Sequence, residues 1–145
     1  MNTKLIERAM NEIRKYAAVS GDVFNDPSNA ITLATLRIGN EKREHFMVMF
    51  LSAQNTLIAD EILFSGTIDS ASVYPRIVAQ RALELNASAV ILAHNHPSGT
   101  VEPSEADKRI TWRIREAMGL LDIRLLDHVI VSGAASCSFA YMGLL

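Results

Sequence analysis

The spacing of apolar side chains changes period several times along this 145-residue chain, and each change marks an element. Over residues 5–19 they fall at Leu5, Ile6, Ala9, Met10, Ile13, Tyr16 and Ala17, one face of a helix, which Ser20-Gly21-Asp22 closes. Asn25-Asp26-Pro27-Ser28 is a cluster of breakers, and residues 30–38 then suit a short second helix stopped by Gly39-Asn40. Residues 44–51, through Phe46-Met47-Val48-Met49-Phe50-Leu51, read as a strand. Because nearly every position is apolar, both faces should be covered, which predicts a central strand with helices on at least one side. Ser52-Ala53-Gln54-Asn55 turns into a second strand over 56–64, forming a hairpin.

A loop over 66–74 leads to Pro75, which suits the first turn of a helix reaching residue 85 and capped by Asn86. The apolar run 89–93 follows so soon that helix and strand must lie side by side. From 105 to 121 the residues Ile110, Ile114, Ala117, Met118 and Leu121 make a helical stripe. A strand over 124–131 ends at Gly133, residues 136–139 add a last short strand, and 141–145 form a tail. This order describes a mixed α/β (α+β) layered fold, with residues 1–40 as a helical segment ahead of a domain spanning 41–145.

Composition narrows the function classes. At 49% hydrophobic and 21% charged, the chain is one domain's worth of ordinary globular sequence, able to bury about two-thirds of its unfolded surface. Its apolar runs are far short of a bilayer span and its N-terminus lacks a signal peptide's apolar centre, so a soluble, cytoplasmic protein with no membrane partner is expected. The lone Cys137 fits a reducing compartment and reads as packing. A net charge of −2 exerts no general pull on nucleic acid. Lys108, Arg109, Arg113 and Arg115 share one helix, but Glu105, Asp107 and Glu116 dilute them, which describes a solvated helix face.

The chemistry concentrates between residues 91 and 107. The 89–93 run delivers His94 and His96, and on a strand that spacing points both imidazoles to the same side. Pro97 has no N–H to continue a ladder, and Ser98-Gly99 supplies a turn. Pro103-Ser104 opens a helix, and Asp107 lies three positions beyond Ser104, where the loop can return its carboxylate to the histidines. Two His and one carboxylate, with a fourth position for water, is the donor set of a catalytic zinc site; a structural site has four protein ligands, usually rich in Cys. Taken singly, the parts have ordinary readings: His94 and His96 as loop polars, Ser104 and Asp107 as a capping box. Their combination points to metal.

A hydrolase also needs a carboxylate to take the water's proton and pass it to the leaving group. Glu41, Glu44, Asp60, Glu61 and Glu102 are candidates, and Glu44 is favoured because it stands at the mouth of the apolar strand. The Ser104 hydroxyl can accept a helix N–H while donating its own proton to a developing oxyanion. Asn95 points away from the two histidines and is assigned to backbone support. His45 and His128 are left outside the site, His128 as a structural histidine in an apolar strand.

At these residues the chain resembles the RadC-like members of the JAB/MPN superfamily, whose JAMM signature is an upstream Glu, then H-x-H-P, six residues, S, two residues, D. His94-Asn95-His96-Pro97, Ser104 and Asp107 match every spacing. The resemblance continues in Leu63-Phe64-Ser65-Gly66-Thr67, Val73-Tyr74-Pro75-Arg76, Arg81-Ala82-Leu83 and Leu126-Asp127-His128, covering about residues 44–139. It implies a cytidine-deaminase-like layered fold with a mixed sheet flanked by helices. It also implies a zinc ion held by His94, His96 and Asp107, and metalloprotease or isopeptidase chemistry on a peptide or protein substrate. The superfamily's Glu precedes an apolar strand, which maps onto Glu44 with Glu41 as fallback. Long RadC-type proteins carry an N-terminal helix-hairpin-helix region that residues 1–43 do not resemble. The alternative function, suggested by the DNA-repair label such proteins bear, is a nucleic-acid-processing or binding module. The adjacent triplet His94-Asn95-His96 does not make an HNH nuclease, whose residues are dispersed. Oligomeric state is left open by the sequence.

Overall fold

The computed structural model describes residues 3–20, 23–69 and 72–145, and of residues 13–20 the backbone alone. The described residues form α1 (Thr3–Ser20), α2 (Pro27–Ile38), β1 (His45–Leu51), β2 (Leu57–Ser65), α3 (Pro75–Glu84), β3 (Ala89–Asn95), α4 (Glu105–Leu120), β4 (Arg124–Ser132) and β5 (Ala135–Ser138). Each is an element the hydrophobic pattern predicts. The Gly21-Asp22 stop for α1, the side chains of Ile13, Tyr16 and Ala17, and residues 70–71 of the loop after β2 lie outside the described residues. The largest change of boundary is at α2, which begins at Pro27. Asp26 caps it by accepting from the Ser28 N–H at 2.8 Å, and proline at the first helical position has no N–H to leave unpaired.

The strands form one mixed sheet in the order β2-β1-β3-β4-β5, antiparallel throughout except for the parallel pair β3 and β4. Strand β1 therefore sits inside the sheet, as its uniformly apolar sequence requires. Alternation splits its side chains between two cores. Met47, Met49 and Leu51 pack with Leu33, Ala34 and Ile38 of α2 and Met10 of α1. Phe46, Val48 and Phe50 pack on the other face with Val78 of α3 and Ile110, Ile114 and Met118 of α4. The sheet is thus covered by helices on both faces.

Two helices end in left-handed residues that free the chain to re-enter the sheet. Asn86 (φ 54°) follows α3 while the Ala87 N–H returns to the Ala82 carbonyl at 2.9 Å; Asp122 (φ 59°) follows α4 while the Ile123 N–H returns to Met118 at 2.9 Å. This geometry corrects the stripe read from the sequence. Leu121, expected on the buried face of α4, is 40% exposed because the chain leaves the helix there, and Ile123 packs inward instead. Thr111 joins the buried face in an unexpected role taken up below. No helix of the described residues is long and apolar enough to cross a membrane.

Candidate metal centre

The carboxyl ends of the parallel strands β3 and β4 open onto the loop that leads into α4, and the polar side chains converge at this edge. His94 lies within β3 and His96 just beyond it. The His96 N–H still bonds the Val131 carbonyl of β4 at 3.0 Å, so the strand geometry carries through and the two imidazoles share one side. Their Nε2 atoms are 2.8 Å apart. Asp107 comes from the first turn of α4, with Oδ1 3.1 Å from His94 Nε2 and Oδ2 3.2 Å from His96 Nε2.

The turn that presents Asp107 is built by Ser104. The Ser104 hydroxyl accepts from the Asp107 N–H at 3.0 Å, and Asp107 Oδ2 accepts from the Ser104 N–H at 2.8 Å. The capping box and the His-His-Asp cluster, alternatives in the sequence, share Asp107 here, and the cap aims its carboxylate.

These residues fit a metal ion. Donor atoms of a tetrahedral zinc with bonds of about 2.0–2.1 Å are about 3.3 Å apart. The observed separations approach that edge length, and the three side chains are grouped closely enough to hold one ion. His94 and Asp107 are buried, while His96 keeps 13% of its side chain exposed and forms the open side. His96 Nδ1 donates to the Thr100 carbonyl at 3.0 Å, because a carbonyl can only accept; this leaves Nε2 for the cluster.

The electrostatics reflect the crowding. Burial alone would raise the Asp107 carboxyl, but its contacts with His94 and His96 and the hydrogen bond from the Ser104 N–H hold it well below the usual carboxylate range. The bond to Asp107 raises the His96 imidazole more than burial lowers it, and the Glu44 carboxylate adds a smaller push in the same direction.

Glu44 stands immediately before β1, two residues ahead of Phe46, which pairs with His94 across the sheet. Its carbonyl accepts from the Gly66 N–H at 3.0 Å and its Oε2 from the Ile68 N–H at 2.9 Å. The other carboxylates offered by the sequence are engaged elsewhere or exposed. Asp60 faces Arg37 at 3.4 Å, Glu61 pairs with Arg81 at 2.7 Å, and Glu41 and Glu102 are exposed.

Asn95 has the supporting role its strand parity implies. Its Oδ1 accepts from the His45 N–H at 2.7 Å, and its Nδ2 donates to the carbonyls of Arg43 at 2.8 Å and Glu41 at 3.3 Å. The residue between the two histidines therefore holds the segment that carries Glu44. His45 bonds Ser65 at 2.7 Å, away from the cluster. Cys137 donates to the Val101 carbonyl at 3.0 Å, and burial raises its thiol, in keeping with a packing role.

One residue left outside the site by sequence reasoning touches it directly. His128, fully buried, has Nε2 2.7 Å from His94 Nδ1 and Nδ1 2.5 Å from the Thr111 hydroxyl. Burial pushes its imidazole well below the usual histidine value. Spacing could not reveal this contact, since His94 and His128 are 34 residues apart and meet only because β3 and β4 are neighbours. The available signal was that His128 belongs to a segment, Leu126-Asp127-His128, that carried the family resemblance.

An α/β/α layered domain with a two-histidine, one-aspartate cluster at the end of its parallel strand pair falls in the JAB class. More narrowly, the family model of the RadC-like JAB domain matches residues 24–144, and the chain belongs to that family. It is 54% identical over 123 residues to a UPF0758 protein of Pseudoalteromonas translucida, covering 85% of this chain and 55% of that protein. It is 52% and 53% identical over 141 residues to UPF0758 proteins of Vibrio vulnificus and Vibrio cholerae, covering 95% of this chain and 63% of each. The chain thus spans between 55% and 63% of the length of these curated relatives. The family match begins well before residue 44 and takes in α2, whose Leu33, Ala34 and Ile38 close one face of the sheet.

Proposed function

We propose that the protein is a zinc-dependent hydrolase of the JAMM type that cleaves a peptide or isopeptide amide. One observation carries the reading: His94 Nε2, His96 Nε2 and the Asp107 carboxylate converge at 2.8–3.2 Å with an open side at His96. Three electron-rich groups at such distances call for a cation among them, and two imidazoles with one carboxylate suit zinc. When bound, zinc supplies a water of lowered pKa and polarises the scissile carbonyl.

The remaining work falls to the chain's own residues. Glu44 takes the water's proton and hands it to the departing amine nitrogen, which would otherwise leave as an unstable anion. Its bond from the Ile68 N–H orients the carboxylate and leaves the second oxygen for the proton. Ser104 spends a lone pair on the Asp107 N–H and keeps its own O–H to steady the oxyanion.

Replacing Glu44 with Gln is expected to keep zinc and lower amide turnover by roughly 10²–10⁴-fold. A fully active Glu44→Gln protein would remove Glu44 from the mechanism. The alternative, a nucleic-acid-associated module, would draw on Arg109, Trp112 and Arg115 of α4, where Arg115 lies 5.6 Å from the Trp112 ring centroid. The net charge of −2 favours the peptide reading, because nucleic-acid affinity rests largely on phosphate neutralisation. A salt-dependent gel shift of this protein would reverse that preference.

A further inference from the structure

We propose that His128 and Thr111 are positioning residues that lock His94 in the tautomer whose Nε2 is free to bind a metal, through a hydrogen-bond chain ending on the backbone carbonyl of Asp107. The usefulness of the lock rests on the hydrolase reading; the tautomer itself does not.

Every direction in the chain follows from its last group. Thr111 Oγ1 lies 2.7 Å from the Asp107 carbonyl oxygen and 2.5 Å from His128 Nδ1. A carbonyl can only accept, so the single proton of the Thr111 hydroxyl points to Asp107. The hydroxyl oxygen then has only lone pairs to offer His128, and His128 Nδ1 must carry the hydrogen. The His128 ring is fully buried and, among the described residues, bonds only His94 and Thr111 through its nitrogens, which favours the neutral imidazole and makes Nε2 an acceptor. His94 Nδ1, 2.7 Å away, must therefore donate. A neutral His94 has one ring proton, so its Nε2 presents a lone pair to Asp107 and His96.

A metal-bound histidine is ordinarily oriented by a carboxylate, a carbonyl or water at its second nitrogen. His96 follows that pattern through Thr100, whereas His94 reaches its carbonyl through an intervening imidazole and a hydroxyl. The longer path links three elements: β3 holds His94, β4 holds His128, and α4 holds both Thr111 and Asp107. Asp107 acts at both ends of the site, its carboxylate facing the two histidines and its carbonyl setting the tautomer of one of them. Packing holds the relay ring. Phe139 stacks on His128 at 4.6 Å and 20°, and Phe46 meets its edge at 5.6 Å while stacking on His94 at 6.2 Å.

A purely structural role for His128 predicts that shape alone matters, so the test uses variants that keep shape. Thr111→Val removes the hydroxyl, Thr111→Ser restores it, and His128→Phe keeps the stack on Phe139 while deleting both nitrogens. With only four histidines in the chain, long-range proton–nitrogen NMR of the zinc-free protein, well above the ordinary histidine pKa, can report each tautomer. His94 is expected as the Nδ1–H form in the wild type and in Thr111→Ser, and as a tautomer mixture in Thr111→Val. Zinc affinity by chelator competition should fall on the order of 10–100-fold in His128→Phe, less in Thr111→Val, and recover in Thr111→Ser. A wild-type His94 protonated at Nε2, or folded Thr111→Val and His128→Phe proteins with wild-type zinc affinity, would overturn the proposal. Should His128→Phe fail to fold, the two Thr111 variants decide. A wild-type protein that takes up no zinc would defeat the hydrolase reading, while the tautomer spectrum would still decide the lock.

Discussion

Asp107→Asn separates the two tasks of Asp107. In the wild type, Oδ2 accepts from the Ser104 N–H at 2.8 Å while both oxygens face the histidines. An asparagine of the same shape can still accept from Ser104 through Oδ1, and its NH₂ can donate to the His94 Nε2 lone pair, so the zinc-free fold should survive. What it cannot supply is an anionic metal ligand. Zinc sites with four protein ligands bind with roughly 10–16 kcal/mol, or roughly 2.5–4 kcal/mol per ligand, so losing one should weaken zinc by about 10²–10³-fold. Ser104→Ala is the converse experiment. It removes the side-chain cap, worth about 1 kcal/mol, and should lower Tm by about 4 °C while zinc still binds. Elemental analysis of tag-free protein and chelator competition read the metal, and thermal melts read the cap. An Asp107→Asn protein that holds one zinc per chain as tightly as wild type would refute the ligand assignment. An Asp107→Asn protein that no longer folds would refute the claim that the cap tolerates the amide.

Three further outcomes follow from the same geometry. Asn95→Ala deletes three hydrogen bonds to the segment bearing Glu44 and should cost about 2–3 kcal/mol in urea unfolding, with a larger fall in turnover than in zinc affinity. An unchanged unfolding midpoint would show that Asn95 holds nothing. The zinc-free protein should be most stable near the usual histidine value and lose stability on either side. The raised His96 contributes stability that is lost as pH climbs through its elevated pKa, the buried neutral His128 contributes stability that is lost as pH falls below the usual histidine value, and the lowered Asp107 contributes stability that is lost at still lower pH; a melt series across pH checks these signs. Apparent zinc affinity should fall with acidification beginning above the usual histidine value, because His96 must shed its proton to bind, and a flat profile through that range would exclude His96 as a ligand.

The elements were legible because each rests on a short-range period. The apolar run of β1 announced a strand covered on both faces, and it lies inside the sheet between two cores. The candidate ligands were legible for the same reason. His94 and His96 follow strand alternation, and Ser104 and Asp107 are a helix start, so both pairs sit within a few bonds of known geometry. The exposure of Leu121 was missed because a helix stripe does not reveal where a left-handed residue such as Asp122 ends the helix.

What the amino-acid order determines alone is therefore local: which segments are helices and strands, which faces are apolar, and which donors a single strand and a single turn hold side by side. Periods of two and 3.6 residues are properties of the backbone and need no distant partner. Tertiary structure decided the rest. Asn95 reaches residues 41–45 only because β1 pairs with β3, and Glu44 finds the Ile68 N–H only because the chain after β2 folds back beside it. His128 meets His94 only because β4 lies parallel to β3, in a register shifted between Val90 and Ile91. Strand order and register are set by the sum of many long-range contacts, and no window of sequence contains that sum.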